Sequence, residues 1–284
     1  MKIIYDNVAD WAWIECIAGG SIATLPASNL GLMEPENLWR LPDGVTTATL
    51  AVSFASRTSP TPTTIKPVNS VVLYGGEFSS SSGWRVRIWE DNTQAVQVYD
   101  SGSVALVPPI AFGDLAWGTD PLGKSMYLGW PHTVSKLWFP TVYGGYMQIE
   151  ITDTAPPAGY MQATRLFVGD AFAPVHMPAR GMQSGVVDRS KQQRTDGGNL
   201  YTEPGAQYRR MVLSGDWISA WERLQVSTLK RQKGLREDVF VTVFPGLGNA
   251  YERDHEMQAK LVALDLMTLT MFDYANQQLV FEEV

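Results

Sequence analysis

The sequence predicts a mainly β protein, with an N-terminal jelly-roll β-sandwich and a C-terminal β-sheet domain flanked by one α-helix. The chain has 25 glycines and 17 prolines among 284 residues, which is enough to end many short strands with turns. Apolar residues alternate with a period of two in most of the chain, and a helical period is clear in a single segment. Because 45% of the residues are hydrophobic, the chain can bury a sizeable core.

The first domain is predicted to span residues 1–173. Within 47–54, Leu50 and Val52 fall on one face and Ala51 and Ser53 on the other, as in a half-buried strand. Further β-rich runs are expected at 68–74, 84–89, 95–99, 136–139, 146–151 and 165–168. Turn-rich segments separate these runs, and this regular spacing is typical of a sandwich or jelly roll.

The second domain is predicted to span residues 174–284. From 217 to 232, Trp217, Trp221 and Leu224 recur at helical spacing, and Gly234 follows as a stop signal. A single amphipathic helix needs a sheet on which to bury its apolar stripe. We therefore expect these three side chains to pack against the strands predicted around the helix.

Residues 181–205 are polar and contain several glycines, including the run QQRTDGGN. This composition is typical both of an extended hairpin arm that orders on a partner and of a disordered linker. The sequence favours neither alternative.

The charge is distributed unevenly along the chain. The net charge is −7 overall, and it is −6 over residues 1–179, +6 over 180–236 and −7 over 237–284. A basic segment and an acidic segment are complementary, so one interpretation is that they meet between copies of the chain. The other is that they cancel locally within one fold. The candidate inter-subunit contacts are Arg189, Lys191, Arg194, Arg209 and Arg210.

Several classes of function lack the residues that they need. The chain has one cysteine and three histidines, and their spacing fits no metal site. No nucleophile elbow, phosphate-binding loop or nucleic-acid recognition module is present, and we expect neither enzymatic activity nor a cofactor. Glu252 with Asp254 could in principle serve glycoside hydrolysis, although acidic pairs in turns are usually solvated. We expect neither a secretory leader nor a membrane span.

Aromatic residues in glycine- and proline-rich loops are the most suggestive candidates for a binding site. Trp117, Trp130 and Tyr143 are placed to stack on a sugar or to anchor a protein partner. The alternative is that their rings fold onto the ends of the sandwich core.

Four segments of the chain carry a recognisable pattern: LPASNLGLMEPENLWR, VNSVVLYGGEFSSSSGWRVRIWEDN, VYDSG and YMQIEITDTAPPAGYMQATRLFVGDAF. This pattern resembles the galactose-binding-like, or discoidin-like, jelly roll of tail-tip proteins from long-tailed bacteriophages. The matching residues are Asn29, Leu30, Trp39, Trp84, Arg85, Val86, Arg87, Tyr99, Asp100, Ser101, Gly102, Arg165, Leu166, Phe167 and Gly169. The segments DGGNLY, YRRMVLSGDW and LVFEEV are similar to parts of the companion ring-forming domain of such proteins.

The resemblance implies a non-enzymatic structural protein of a phage tail tip or baseplate, made in the host cytoplasm and carried in the virion. Such a protein oligomerises as a ring and connects the tail tube to hub, fibre and host-recognition proteins. In distal tail proteins the ring-forming domain usually comes first, whereas here the sandwich does. The alternative function is that of an adhesin that binds host surface glycans, because a fold alone does not assign a function.

Overall fold

The computed structural model describes residues 1–61, 64–110, 112–120, 124–127, 130, 133–178, 181–269 and 274–284. The described chain is mainly β, as the sequence predicts. Its internal contacts divide it into two compact units. The sandwich unit comprises Lys2–Phe172 and Phe244–Glu256, and the sheet unit comprises Ala173–Val243 and Met257–Val284.

The strands of the sandwich unit are β1 (Lys2–Ile4), β2 (Trp13–Ala18), β3 (Trp39–Arg40), β4 (Thr47–Ser53), β5 (Lys66–Gly76), β6 (Gly83–Trp89), β7 (Gln97–Asp100), β8 (Val104–Ala105), β9 (Thr133–Gly144), β10 (Tyr146–Thr152), β11 (Gln162–Ala163) and β12 (Arg165–Gly169). One antiparallel sheet has the order β2-β4-β10-β6-β7, with β8 beside β6. A second sheet has the order β12-β5-β9, and β3 pairs with β11.

The core of the sandwich follows from the alternation along its strands. Leu50 of β4 pairs with Ile149 of β10, which pairs in turn with Val86 of β6, and all three side chains are fully buried. Along each strand, the residues on either side of these buried positions point to the outer face; on β6 these are Arg85 and Arg87. The predicted faces of β4 are therefore the observed ones.

Three residues that carry the resemblance to the galactose-binding-like jelly roll have structural roles in the sandwich. Trp39 is fully buried, and its indole donates to Ser21 Oγ at 3.1 Å. Arg165 is 1% exposed and forms an ion pair with Asp10, with 2.5 Å between Nη2 and Oδ1. Asn29 donates to the carbonyl of Leu38 at 2.8 Å. These residues stabilise the sandwich through internal bonds and are not part of a binding surface.

The remaining strands are β13 (Gln183–Asp188), β14 (Lys191–Arg194), β15 (Leu200–Glu203), β16 (Gln207–Ile218), β17 (Asp238–Thr242), β18 (Glu256–Ala263), β19 (Thr268–Leu269) and β20 (Ala275–Glu283). The helices are α1 (Ala220–Lys233), in the sheet unit, and α2 (Ala250–Asp254), in the segment that packs with the sandwich. In the sheet unit the strand order is β17-β18-β20-β16-β13, and β19 lies beside β20.

Helix α1 presents the opposite face to the one that the sequence predicts. Trp217, Trp221 and Leu224 are 49%, 55% and 62% exposed, so the expected burial of this stripe is wrong. The buried positions of the helix are instead Glu222, Val226, Leu229 and Lys233. The sequence prediction also begins the helix three residues early, because Trp217 still belongs to β16.

The reason lies at the start of the helix. Ser219 is the N-cap, and its side chain and that of Glu222 bond reciprocally to each other's backbone N–H groups. The Glu222 carboxylate also accepts from the N–H groups of Val175 and His176, at 2.6 and 3.0 Å. These bonds turn Glu222 inward, and Val226 and Leu229 follow it at helical spacing.

The segment 181–205 contains β13, β14 and β15. β13 pairs with β16, whereas β14 and β15 form a separate two-stranded hairpin whose residues are exposed. The second domain is predicted to begin at residue 174, and the observed sheet unit begins one residue earlier, at Ala173. However, Phe244–Glu256, which the prediction assigns to that domain, packs with the sandwich.

Candidate functional site

A shallow trough crosses the outer face of the larger sandwich sheet. Strand register places Trp13 of β2 opposite Ser53 of β4, and Ser53 opposite Tyr146 of β10. The next outward position on β4 is Ala51. Two small side chains therefore form the floor, and the two rings stand on strands roughly 9 to 10 Å apart on either side.

The trough encloses a cavity of about 190 Å³. Its lining consists of Trp13, Glu15, Ile17, Ala51, Ser53, Pro60, Asn92 and Tyr146. This volume is below the roughly 300–1,000 Å³ of sites for drug-sized ligands, so we expect the trough to accept one small ring. Apolar walls with a few polar groups at the edge are the usual composition of such sites.

The polar groups of the trough are oriented by their neighbours. Trp13 Nε1 donates to Glu15 Oε2 at 3.3 Å, so the carboxylate lies beside the indole. Tyr146 Oη accepts from Gln148 Nε2 at 3.2 Å, which leaves the tyrosine hydroxyl proton for another acceptor. Asn92 is exposed and adds a carbonyl and an amide. The trough can thus both donate to and accept from hydroxyl groups.

Support for Tyr146 comes from the next strand. Tyr146 packs against Trp89 of β6, with ring centroids 5.9 Å apart. Tyr146 is 9% exposed and Trp89 is 4% exposed, so the wall is part of a buried aromatic cluster. Buried aromatic packing of this kind restricts the ring to one position.

Ion pairs occupy the rest of this sheet face. Arg85 pairs with Asp100, with 2.5 Å between Nη2 and Oδ2, and Arg87 pairs with Glu150. The hydrogen bond from Arg85 lowers the pKa of Asp100 to about 2. These paired charges separate the trough from the far edge of the sheet. Among the described residues, Glu15 is the one charged residue that lines the cavity.

The structure does not assemble the three predicted aromatic contacts into one site. Trp117 is 72% exposed and packs edge-on against Phe112, with ring centroids 4.7 Å apart. Trp130 lies under the guanidinium of Arg253, 4.4 Å from the ring centroid. Tyr143 is 64% exposed near the end of β9. Their binding roles stay predictions.

Two of the five predicted inter-subunit cations form ion pairs with acidic side chains of the same chain. Arg209 pairs with Glu283, with 2.5 Å between Nη2 and Oε1, and Arg210 Nη1 lies 3.6 Å from Glu282 Oε1. These pairs join β16 to β20, so part of the charge complementarity between the basic and acidic segments is satisfied locally.

The other three cations lie on or beside the exposed hairpin. Arg189 donates to the Tyr208 hydroxyl, and Arg194 donates to the carbonyl of Gly198. Lys191 is exposed on β14. The inter-subunit role of all five cations remains a prediction.

Buried carboxylates in the sandwich unit form a second polar cluster. Glu252 and Glu256 both bond to Lys136, and Tyr127 donates to Glu256 at 2.5 Å. Burial raises the pKa of Glu256. Burial also opposes the ionisation of Glu252, but its bonds to Lys136 and to the N–H groups of Gly246 and Gly248 together outweigh burial and lower its pKa. The carboxylates are 1% exposed, so the cluster offers a substrate no access. Asp254 lies outside this cluster and pairs with Arg253.

Sequence patterns do not predict the trough, because its walls come from strands far apart in the chain. Trp13, Glu15 and Tyr146 lie in ordinary strand patterns, and nothing in the residues around them marks a binding site. One signal was present: Ala51 and Ser53 occupy the outward face of β4, where larger polar residues usually lie. Small residues at successive outward positions leave a depression in the sheet surface.

No protein-family model matches the chain, and the search of curated proteins finds no match. Solved structures do match part of the chain. Chitosan-binding module 1 of a chitosanase/glucanase from Paenibacillus sp. IK-5 is 14% identical, with 58% of this chain and 98% of that one covered and a TM-score of 0.37. The module CpGH89CBM32-5 from Clostridium perfringens, solved with GalNAc-β-1,3-galactose, is 8% identical, with 59% and 99% covered and a TM-score of 0.36.

CBM32-1, from a family 31 glycoside hydrolase of Clostridium perfringens, is 12% identical, with 58% of this chain and 99% of that one covered and a TM-score of 0.36. Likeness at this level does not assign a ligand to the chain. Within the described residues, no helix is long and apolar enough to cross a membrane. The same residues contain no group of three or more histidine, cysteine or acidic side chains placed to hold a metal ion.

Proposed function

We propose that the chain is a carbohydrate-binding protein and that the trough over β4 is its sugar site. The observation that carries this proposal is the cavity between Trp13 and Tyr146, with a small-residue floor and hydrogen-bonding groups at its edge. A pyranose ring has an apolar C–H face and a rim of hydroxyl groups. Aromatic walls match the first, and Glu15, Asn92 and the Tyr146 hydroxyl match the second.

The test is titration calorimetry of the full chain with a panel of neutral hexoses and N-acetylhexosamines. We expect millimolar or tighter binding of at least one sugar, and loss of that binding in Trp13→Ala. Trp117→Ala is the matched control, because Trp117 is also exposed but lies outside the trough. If the wild type binds none of these sugars, or if Trp117→Ala removes binding and Trp13→Ala does not, the proposal fails.

A second candidate function is that of a ring-forming structural protein of a phage tail tip, located in the virion and contacting tube, hub and fibre proteins. The observation that favours self-association is a set of exposed apolar side chains, with Trp217 near the end of β16 and Trp221 and Leu224 on α1. The hairpin of β14 and β15 is also exposed. Contiguous exposed apolar surface is typical of a protein interface. Closed rings use two different faces of each subunit.

Native mass spectrometry tests this second function. We expect a closed oligomer for the wild type, and dissociation to monomers in Trp221→Ser with Leu224→Ser. Thr49→Ser, on the outer face of β4, is the control and should leave the oligomer intact. A wild-type chain that is monomeric at the highest accessible concentration would rule out the ring.

A further inference from the structure

We infer that the trough over β4 selects hexosamines with a free, protonated amine over neutral and acidic sugars, and this inference rests on the proposed sugar site. The first observation is charge. Among the described residues that line the cavity, Glu15 is the single charged one, and its carboxylate lies at the wall where Trp13 stands. A carboxylate without a cation beside it favours a ligand that brings its own positive charge.

Protein cations on the surrounding elements are engaged elsewhere. Arg87 lies three strands from Glu15 in the same cross-strand row and pairs with Glu150. Arg57, in the loop after β4, donates to the carbonyl of Gly31 at 2.7 Å. Each of these arginines is therefore already bonded where the structure places it. The local charge at the trough is negative.

The Glu15 carboxylate lies where it can contact a substituent of a sugar stacked on Trp13. The Trp13 indole N–H holds one carboxylate oxygen, Oε2, at 3.3 Å. A carboxylate has two oxygens and about four lone-pair sites, so Glu15 retains acceptor capacity for an ammonium group. A ring stacked on Trp13 would place its substituents next to this carboxylate. An N-acetyl group at the same position would remove the positive charge, and a uronic acid would add a repelling negative charge.

The neighbouring surface strengthens the preference. Asn92, at the end of the trough, follows Glu90 and Asp91, which are both exposed. Acidic side chains within a Debye length of the site attract a cationic ligand at low salt and lose this effect at high salt. Selection for an amine should therefore weaken as the ionic strength rises, whereas ring stacking should not.

The test compares glucosamine and galactosamine with their N-acetyl forms and with glucuronate, by titration calorimetry of the full chain at about pH 6, where a sugar amine carries a proton. We expect the free amines to bind about fivefold more tightly than the N-acetyl forms, which is the effect of one well-placed exposed ion pair. Glucuronate should bind most weakly. Glu15→Gln should abolish the difference between amine and N-acetyl forms while retaining the remaining affinity.

The control is Glu36→Gln, which removes an exposed carboxylate outside the cavity. It should leave the preference for amines unchanged. Equal binding of amine and N-acetyl forms, or an unchanged preference in Glu15→Gln, would overturn this inference. A loss of binding in Trp13→Ala would in that case still support the sugar site. Absence of binding by every sugar would overturn both.

Discussion

Lys136 and Glu252 form an ion pair inside the sandwich unit, with 2.7 Å between Nζ and Oε1. Their side chains are 9% and 1% exposed. Lys136 also bonds to Glu256, so one ammonium group faces two buried carboxylates. The backbone N–H groups of Gly246 and Gly248 bond to Glu252 as well, at 2.9 and 2.6 Å. The cluster therefore fixes the segment Phe244–Glu256 to the sandwich unit of which it is part.

Replacing Lys136 with methionine should be strongly destabilising. The substitution keeps most of the side-chain volume and removes the charge, which leaves two buried carboxylates without a counterion. We expect a loss of about 3–5 kcal/mol in the free energy of unfolding, measured by urea denaturation. Lys191→Met, on the exposed strand β14, is the control and should change stability by less than about 0.5 kcal/mol. Equal effects of the two substitutions would show that the Lys136 cluster is not a structural element.

Glu222 should make the stability of the sheet unit depend on acid pH. Burial opposes its ionisation, but N–H groups of His176 and Ser219 and the His176 ring bond the carboxylate and lower its pKa from 4.5 to about 2. A carboxyl group whose pKa is lower in the folded state stabilises the fold above the unfolded pKa. This contribution is lost as the pH falls from about 4.5 to about 2.

The measurement is the difference in unfolding free energy between wild type and Glu222→Gln across that pH range. The lowered pKa corresponds to slightly more than about 3 kcal/mol, and the difference should shrink by about 2–3 kcal/mol as the pH falls through this range. Glu36→Gln, at an exposed loop position, should give a constant small difference. A pH-independent difference for Glu222→Gln would mean that its hydrogen bonds do not favour the ionised form.

The orientation of helix α1 gives a paired test. Leu229 is fully buried, and Leu229→Ala should cost about 2–5 kcal/mol of stability. Trp221 is 55% exposed, and Trp221→Ala should cost less than about 1 kcal/mol in the isolated chain. Thermal or urea unfolding of both variants decides the orientation. The reverse order of costs would mean that the tryptophan stripe faces the sheet.

Sequence patterns predict those features of this protein that depend on local spacing. Alternation places Arg85 and Arg87 on the outer face of β6, because neighbouring strand residues must point to opposite sides. The helix is also predicted, since its apolar residues recur at helical spacing. Its buried face is not, because the Glu222 hydrogen bonds to Val175 and His176 come from a segment more than forty residues earlier.

The candidate site is harder to predict for a related reason. Trp13, Ser53 and Tyr146 become neighbours only through the register of three strands, and single-sequence patterns do not give register between distant strands. Loop aromatics such as Trp117 attract attention because loops commonly carry function. Here the cavity with aromatic walls forms on a sheet face instead.

Filling the trough from below should abolish sugar binding without unfolding the protein. Ala51→Leu adds a branched side chain to the floor of the cavity, and we expect at least a tenfold loss of affinity in titration calorimetry. Thr49→Leu, at the next outward position along β4, is the control and should keep wild-type affinity. If Ala51→Leu binds sugar as the wild type does, while its circular dichroism shows a native fold, the ligand does not occupy the trough.

The most direct test of the sugar site is to observe the Trp13 indole N–H by two-dimensional ¹H–¹⁵N NMR during a sugar titration. Its signal can be assigned from the resonance that disappears in Trp13→Phe. We predict that this signal shifts with saturation as a hexosamine or neutral hexose is added, and that the Trp117 indole signal does not move. A stationary Trp13 signal, together with saturable shifts at Trp117, would contradict the proposed site.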